Sequence, residues 1–195
     1  SEIMGKIGSQ LLDDSPIESV SIECKGEIDD SKLIALSLLI GLIQDMTDIN
    51  VNFVNAGIIA QERGIEFTHS LSSEQSSYAN LVNLKISSKE NEIELAGSSF
   101  AKNQYRIVNI LGYELDFKPE GTMLFIKNKD VPGVVGKIGL LLADFEVNIG
   151  EYILSRAKSN EFAYSVIKVD GVIKSELIEK LIQNDEIIKI NQIKI

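Results

Sequence analysis

The 195-residue chain is 44% hydrophobic and 25% charged, with mean hydropathy +0.08, which is the composition of an ordinary globular protein with room for one or two cores. Its formal net charge of −10 argues against a phosphate backbone as partner, because nucleic-acid binding needs basic patches that displace counterions. A single cysteine, Cys24, excludes an internal disulfide framework and a thiolate metal cluster, and no window reaches the roughly 18 uninterrupted apolar residues of a membrane span. The N-terminus Ser1-Glu2-Ile3 also lacks a signal peptide's charged-then-apolar layout, so the expectation is a cytoplasmic chain with no membrane partner.

Residues 2–12 read as the tail of a helix, with Ile3, Ile7 and Leu11 one turn apart, Gly5 and Gly8 weakening it, and no evident partner. The run from Ser19 to Ile28 alternates, placing Val20, Ile22 and Cys24 on one side of a strand. Asp29-Asp30-Ser31 then caps a strong helix through Ile43, apolar at Leu33, Leu36, Ile40 and Ile43. A second helix is predicted from Asn55 to Arg63, ended by Gly64. Strands follow at 65–71, 79–87, 92–100 and 103–111, and 109–117 reads as a closing hairpin.

Lys118-Pro119-Glu120-Gly121 is the best linker candidate, with Pro and Gly as punctuation and charges to keep the turn wet. Charge changes across it. Residues 1–118 carry 9 Lys/Arg against 18 Asp/Glu, whereas 119–195 carry 10 against 11. Two domains are therefore expected, 1–118 and 119–195. The first is mixed α/β ending in a mostly antiparallel sheet. The second reads strand 122–127, helix 134–145, strand 147–155, strand 161–170, helix 174–183, strand 186–195. That βαββαβ order predicts a ferredoxin-like fold, so the fold class as a whole is α/β in the α+β sense. Gly136 and Gly139 inside helix 134–145 are expected to allow a close approach to the sheet or to a partner helix.

The most informative stretch is Asn128-Lys129-Asp130-Val131-Pro132-Gly133-Val134, a polar turn between a strand and a helix. Pro132 suits the first helical position, where its missing N–H is no loss, and Gly133 leaves backbone N–H groups uncovered. A helix N-terminus offers free donors and partial positive charge to a carboxylate. Asp130 and Asn128 can hold an ammonium group, and Asn148 beside Ile149 can both donate and accept. Together these residues fit an α-amino acid zwitterion. They equally suit a plain structural turn, with Asp130 capping the helix and Asn148 tolerating a left-handed bend.

Catalytic motifs are not found: there is no G-x-G-x-x-G after a strand, no phosphate-binding loop and no H-E-x-x-H, and the lone His69 lies in a strand. The acid pairs Asp13/Asp14, Asp29/Asp30 and Asp185/Glu186 fall at turns or helix starts, where solvation and capping explain them. No catalytic residue and no metal ligand is assigned.

Residues 119–195 resemble an ACT domain, through Asn128-Lys129-Asp130-Val131-Pro132-Gly133, Gly-Lys-Ile-Gly at 136–139 and Val147-Asn148-Ile149. Upstream, Val51-Asn52-Phe53-Val54-Asn55-Ala56, Gln61-Glu62-Arg63-Gly64 and Ile107-Val108-Asn109-Ile110-Leu111-Gly112 resemble the intervening, allosteric substrate-binding domain of the long-form D-3-phosphoglycerate dehydrogenases. The resemblance implies a regulatory region, whose NAD-binding catalytic domains lie elsewhere in the parent enzyme. With no dinucleotide fingerprint the region is expected to bind no cofactor of its own. Its apolar helices punctuated by Gly136 and Gly139 and the open sheet edges of a βαββαβ unit lead to an expected homo-oligomer, as a two-fold dimer. The resemblance implies that L-serine or another small amino acid binds Asn128, Asp130, Asn148 and Ile149, with its carboxylate on the backbone of Val131, Pro132, Gly133 and Val134. Asn128 departs from the His or Tyr often found at its position. The resemblance also implies an anion site at Arg106 and Lys118, next to a repelling Glu114. Two alternatives stand beside it: a purely structural pairing module that binds nothing, and the related regulatory region of an L-serine dehydratase.

Overall fold

The computed structural model describes residues 1–12, 15–74, 76–101, 104–156 and 161–195; the acid pair Asp13/Asp14 lies outside them. The chain divides into two compact units. One comprises Ser1–Gly112 with Asp116–Pro119, and the other Tyr113–Leu115 with Glu120–Ile195.

In the first unit the elements run α1 (Glu2–Leu11), β1 (Ile17–Gly26), α2 (Ser31–Ile43), α3 (Ala56–Glu62), β2 (Glu66–Ser72), β3 (Asn80–Ser88), β4 (Glu92–Ala101) and β5 (Gln104–Ile110); the sheet has the order β2-β1-β3-β4-β5-β6, and of β6 (Tyr113–Phe117) only Asp116 and Phe117 belong to this unit. Strands β1 and β2 are paired in parallel; β1 with β3, β3 with β4 and β4 with β5 are antiparallel. Alternation sets the core face. Ile22, Leu84, Leu95 and Ile110 register with one another across four strands, and each is at most 2% exposed. The β5–β6 hairpin turns on Leu111 and Gly112, both at positive φ, the requirement of a two-residue primed turn.

Helix α2 opens as its sequence implies, with Asp30 Oδ1 accepting the Leu33 N–H at 2.9 Å. Of the expected stripe, Ile40 and Ile43 are buried, whereas Leu33 and Leu36 at its start are not. Leu33 is 51% exposed, while Ala35, Leu38, Leu39, Leu42 and Ile43 are fully buried. The reason is α1, which has a partner after all: it packs directly on α2, so the C-terminal half of α2 is covered on more than one side. Gly5 and Gly41 make this crossing possible. A Cβ on Gly5 would stand 2.0 Å from the Leu38 carbonyl oxygen, and one on Gly41 would stand 2.0 Å from that of Glu2. Glycines that weaken α1 as an isolated helix thus set its packing distance.

The second unit is β7 (Thr122–Lys129), α4 (Val134–Asp144), β8 (Asn148–Arg156), β9 (Phe162–Asp170), α5 (Ser175–Ile182) and β10 (Ile187–Lys194). Its sheet has the order β10-β7-β9-β8 with every pair antiparallel, the ferredoxin-like arrangement. Leu124, Ile126, Ile167 and Val169 on the sheet meet Val134, Ile138 and Leu142 of α4 and Leu177 and Leu181 of α5 in one core. Tyr152 packs at its margin, with its hydroxyl 3.2 Å from Ser165 Oγ and its ionisation pushed up by burial. One expectation about α4 changes: a Cβ on Gly136 or Gly139 would meet nothing within 4 Å, and Val135 beside them is 48% exposed. Those glycines therefore allow no close approach to the sheet.

Candidate functional site

The turn between β7 and α4 is built by its Pro-Gly pair. The helix begins at Val134, so Pro132 lies outside it, two positions before the place anticipated for it. Gly133 is the N-cap at φ +94°, ψ −16°, and Pro132 before it fits the pattern of a type II turn, with Pro at the first central position and a positive-φ glycine at the second. Among the described residues no side-chain cap hydrogen bond is made at this helix start, and the N–H groups of its first turn open onto the bend. The Val134 side chain is 3% exposed and belongs to the core, leaving only its backbone to face a ligand. The Val131 N–H is already used, donating to Lys129 O at 3.0 Å.

Asn128, the penultimate residue of β7, lies on the face that carries Leu124 and Ile126, and it is 2% exposed. Its Nδ2 donates to Lys129 O at 2.7 Å, while its buried Oδ1 accepts no hydrogen bond among the described residues. An amide oxygen left in this state costs about 1–3 kcal/mol, and a donor brought to it recovers that. Asp130 does not cap the helix. Its N–H donates to Glu161 O at 3.0 Å and its carboxylate lies 3.1 Å from Arg156 Nε, so it ties both arms of the β8–β9 hairpin to the turn. Sequence reasoning missed Arg156. The available signal was its position, eight residues after Asn148 and at the opposite end of the same strand.

That spacing overturns the expectation that Asn148 and Ile149 complete the cradle within one chain. Asn128 and Arg156 both register with Ala163, whereas Asn148 registers with Asp170. Eight strand positions separate Asn148 from Arg156, roughly 26 Å at the usual rise per residue. Asn148 Nδ2 donates to Asp170 Oδ2 at 2.8 Å, and Ile149 packs against the core. The left-handed bend expected at Asn148 sits instead at Glu146, φ +57°. The turn itself brings together Asn128, Asp130, Pro132, Gly133 and Val134.

In the first unit, Arg106 and Lys118 line one surface pocket of about 520 Å³ with Asp116 and Tyr105. The Arg106 guanidinium is engaged there, with Nε on the Asp116 carboxylate and Nη2 on the Asp116 carbonyl at 3.3 Å. An anion would have to compete with Asp116 for it. Among the described residues no group of three or more His, Cys, Asp or Glu side chains is placed to hold a metal ion, and no helix is long and apolar enough to cross a membrane.

Residues 1–111 match the family of the D-3-phosphoglycerate dehydrogenase intervening domain. The chain belongs to that family. Over nearly its whole length it is also similar to D-3-phosphoglycerate dehydrogenases: 30% identical to that of Bacillus subtilis (98% of this chain, 37% of the relative), 31% to that of Methanocaldococcus jannaschii (92% and 34%) and 31% to that of Archaeoglobus fulgidus (96% and 36%). The chain thus spans about a third of the length of these relatives. Their similarity runs past residue 111 and takes in the ferredoxin-like unit and its turn.

Proposed function

We propose that this chain is the regulatory region of an NAD-dependent D-3-phosphoglycerate dehydrogenase, contributing no chemistry itself, and that its ferredoxin-like unit is an ACT-type domain that senses L-serine. The observation that carries the reading is the buried, unpaired Oδ1 of Asn128 beside an uncapped helix start. The effector's carboxylate lies on the N–H groups of Gly133 and Val134, and its ammonium reaches Asp130 and the Asn128 oxygen. Such a set supplies the roughly 4–8 kcal/mol of millimolar to micromolar binding, without a deep cavity.

Asn148 joins this site only from a second copy. Strand β8 is an edge of its sheet, and a two-fold pairing of β8 with its counterpart sets the start of one strand beside the end of the other. The second copy's Asn148 then stands near Arg156 and Asp130. Effector binding and self-association are linked in this arrangement, which is what a regulatory region needs.

Titration with L-serine followed by thermal melting and by the amide resonances of Gly133 and Val134 tests the reading. At about 100 times its dissociation constant the effector stabilises the fold by roughly 2.7 kcal/mol, a rise of several degrees. Asp130→Ala abolishes most of that rise, and Asn148→Ala weakens the response only where the chain is associated. Saturating L-serine that moves neither signal would leave the turn a purely structural one.

A further inference from the structure

Among the described residues the two sheets end on β2, β6, β8 and β10; besides β8, whose pairing is proposed above, two of these edges carry devices that discourage pairing. Strand β6 is five residues long and bears Glu114 and Asp116. Strand β10 is bulged at Ile187/Lys189 and bears Lys189 and Lys194. Strand β2 carries none of these. Its seven residues pair with β1 in unbroken register, it has no Pro and no Lys, and its one charge is Glu66 at the first position.

The side chains of β2 form a palindrome in polarity: Glu66, Phe67, Thr68, His69, Ser70, Leu71, Ser72 read polar, apolar, hydroxyl, imidazole, hydroxyl, apolar, polar. Phe67, His69 and Leu71 share the face of Val20, Ile22 and Cys24, with which they register, and Leu71 is 57% exposed. Thr68, Ser70 and Ser72 take the opposite face.

We propose that β2 is a homotypic docking edge, on which the β2 of a second copy adds antiparallel about a two-fold axis at His69. In that register Phe67 lies opposite the second copy's Leu71, Thr68 opposite its Ser70, and Glu66 opposite its Ser72. Apolar meets apolar, hydroxyl meets hydroxyl, and neither Glu66 faces its twin. Alternation alone would accept any extended peptide; symmetry about the central residue is what an isologous contact adds. The occupant is a second copy for a further reason, charge. A surface of net charge −10 repels its like, and this stretch presents the approaching chain with one carboxylate, at its end. Together with an association through β8, this edge gives each chain two different two-fold contacts, as in a dimer of dimers.

Two experiments on the chain decide it. Thr68→Lys with Ser70→Lys sets lysine against lysine twice across the axis while leaving exposed positions exposed. Sedimentation velocity at tens of micromolar is expected to give half the wild-type assembly mass, with unchanged far-ultraviolet circular dichroism. In a Cys24→Ala background, His69→Cys is expected to form a dithiothreitol-reversible covalent dimer under mild oxidation, and Glu66→Cys to form none, since the register holds the two Glu66 positions roughly 20 Å from each other. Equal masses for wild type and the lysine variant, or cross-linking of Glu66→Cys as efficient as that of His69→Cys, would overturn the proposal.

Discussion

Helices α1 and α2 of the first unit and helix α4 of the second each carry glycines in their interiors, and the glycines serve opposite ends. At Gly5 and Gly41 the backbone of the neighbouring helix occupies the place of a side chain, so the absence of a Cβ is a condition of the fold. At Gly136 and Gly139 that place is open within the unit, next to an exposed Val135 and a Leu140 that is 69% exposed. Interior helix glycine costs about 1 kcal/mol relative to Ala in both cases. Only in the first is the cost offset inside the described structure.

The largest effect that sharpens this contrast is expected from Gly41→Leu. Its Cβ alone falls 2.0 Å from the Glu2 carbonyl oxygen, a backbone atom that no rotamer change can move, so a loss of about 3 kcal/mol or more is expected. Amide exchange of β4, against which α1 packs, reads the loss. Protection in β4 equal to wild type would mean that the α1–α2 crossing is soft.

A smaller effect separates the helix starts. Asp30→Ala removes the carboxylate that accepts the Leu33 N–H and is expected to lower stability by about 1 kcal/mol. Helix α4 has no such group to lose. Gly136→Ala is expected to go the other way, raising the melting temperature by the equivalent of about 0.5–1 kcal/mol through a less flexible unfolded chain. If Gly136→Ala instead destabilises the associated chain and not the dissociated one, its open face is covered by a second copy.

The fold was largely legible because periodicity changes cleanly between strands and helices. Val20, Ile22 and Cys24 alternate and are buried, and Asp29-Asp30-Ser31 announces α2. Contacts between elements distant in sequence were not legible. Gly5 carries no mark that tells a weakened helix from a close crossing, and the stripe at Leu33 and Leu36 could not reveal that α1 covers the far side of α2. At the site, the turn residues could be read from Pro-Gly chemistry, while the separation of Asn128 from Asn148 depends on strand direction. Two parallel strands with one antiparallel strand between them put the end of β7 and the start of β8 at opposite ends of the sheet. The Asp130–Arg156 pair follows from that same topology and has no local signature.

The smallest expected effect compares one ion pair from each unit. In the second, Lys137 Nζ stands 2.5 Å from Glu186 Oε1, and this hydrogen bond, helped by the backbone N–H of Glu186, holds the carboxyl below the usual glutamate range. In the first, Lys25 Nζ lies 2.7 Å from Glu74 Oε2 and lowers the Glu74 carboxyl in the same way. A carboxyl whose ionisation is depressed on folding stabilises the fold above its unfolded value and loses that contribution as pH falls through the folded one. Each pair therefore steepens the acid limb of its own unit, in the window below about pH 4.5, where the unfolded glutamate is already taking up protons. Glu186→Gln is expected to flatten that limb for β7 amides and leave β1 amides alone, and Glu74→Gln to do the reverse. Both groups are reached by solvent, so high salt should erase most of either difference by screening. A Glu186→Gln acid limb that still matches wild type at low salt would mean that the Lys137 contact contributes nothing to folding, and that the position of α4 over the sheet rests on its apolar contacts, with Val134, Ile138 and Leu142 at their centre.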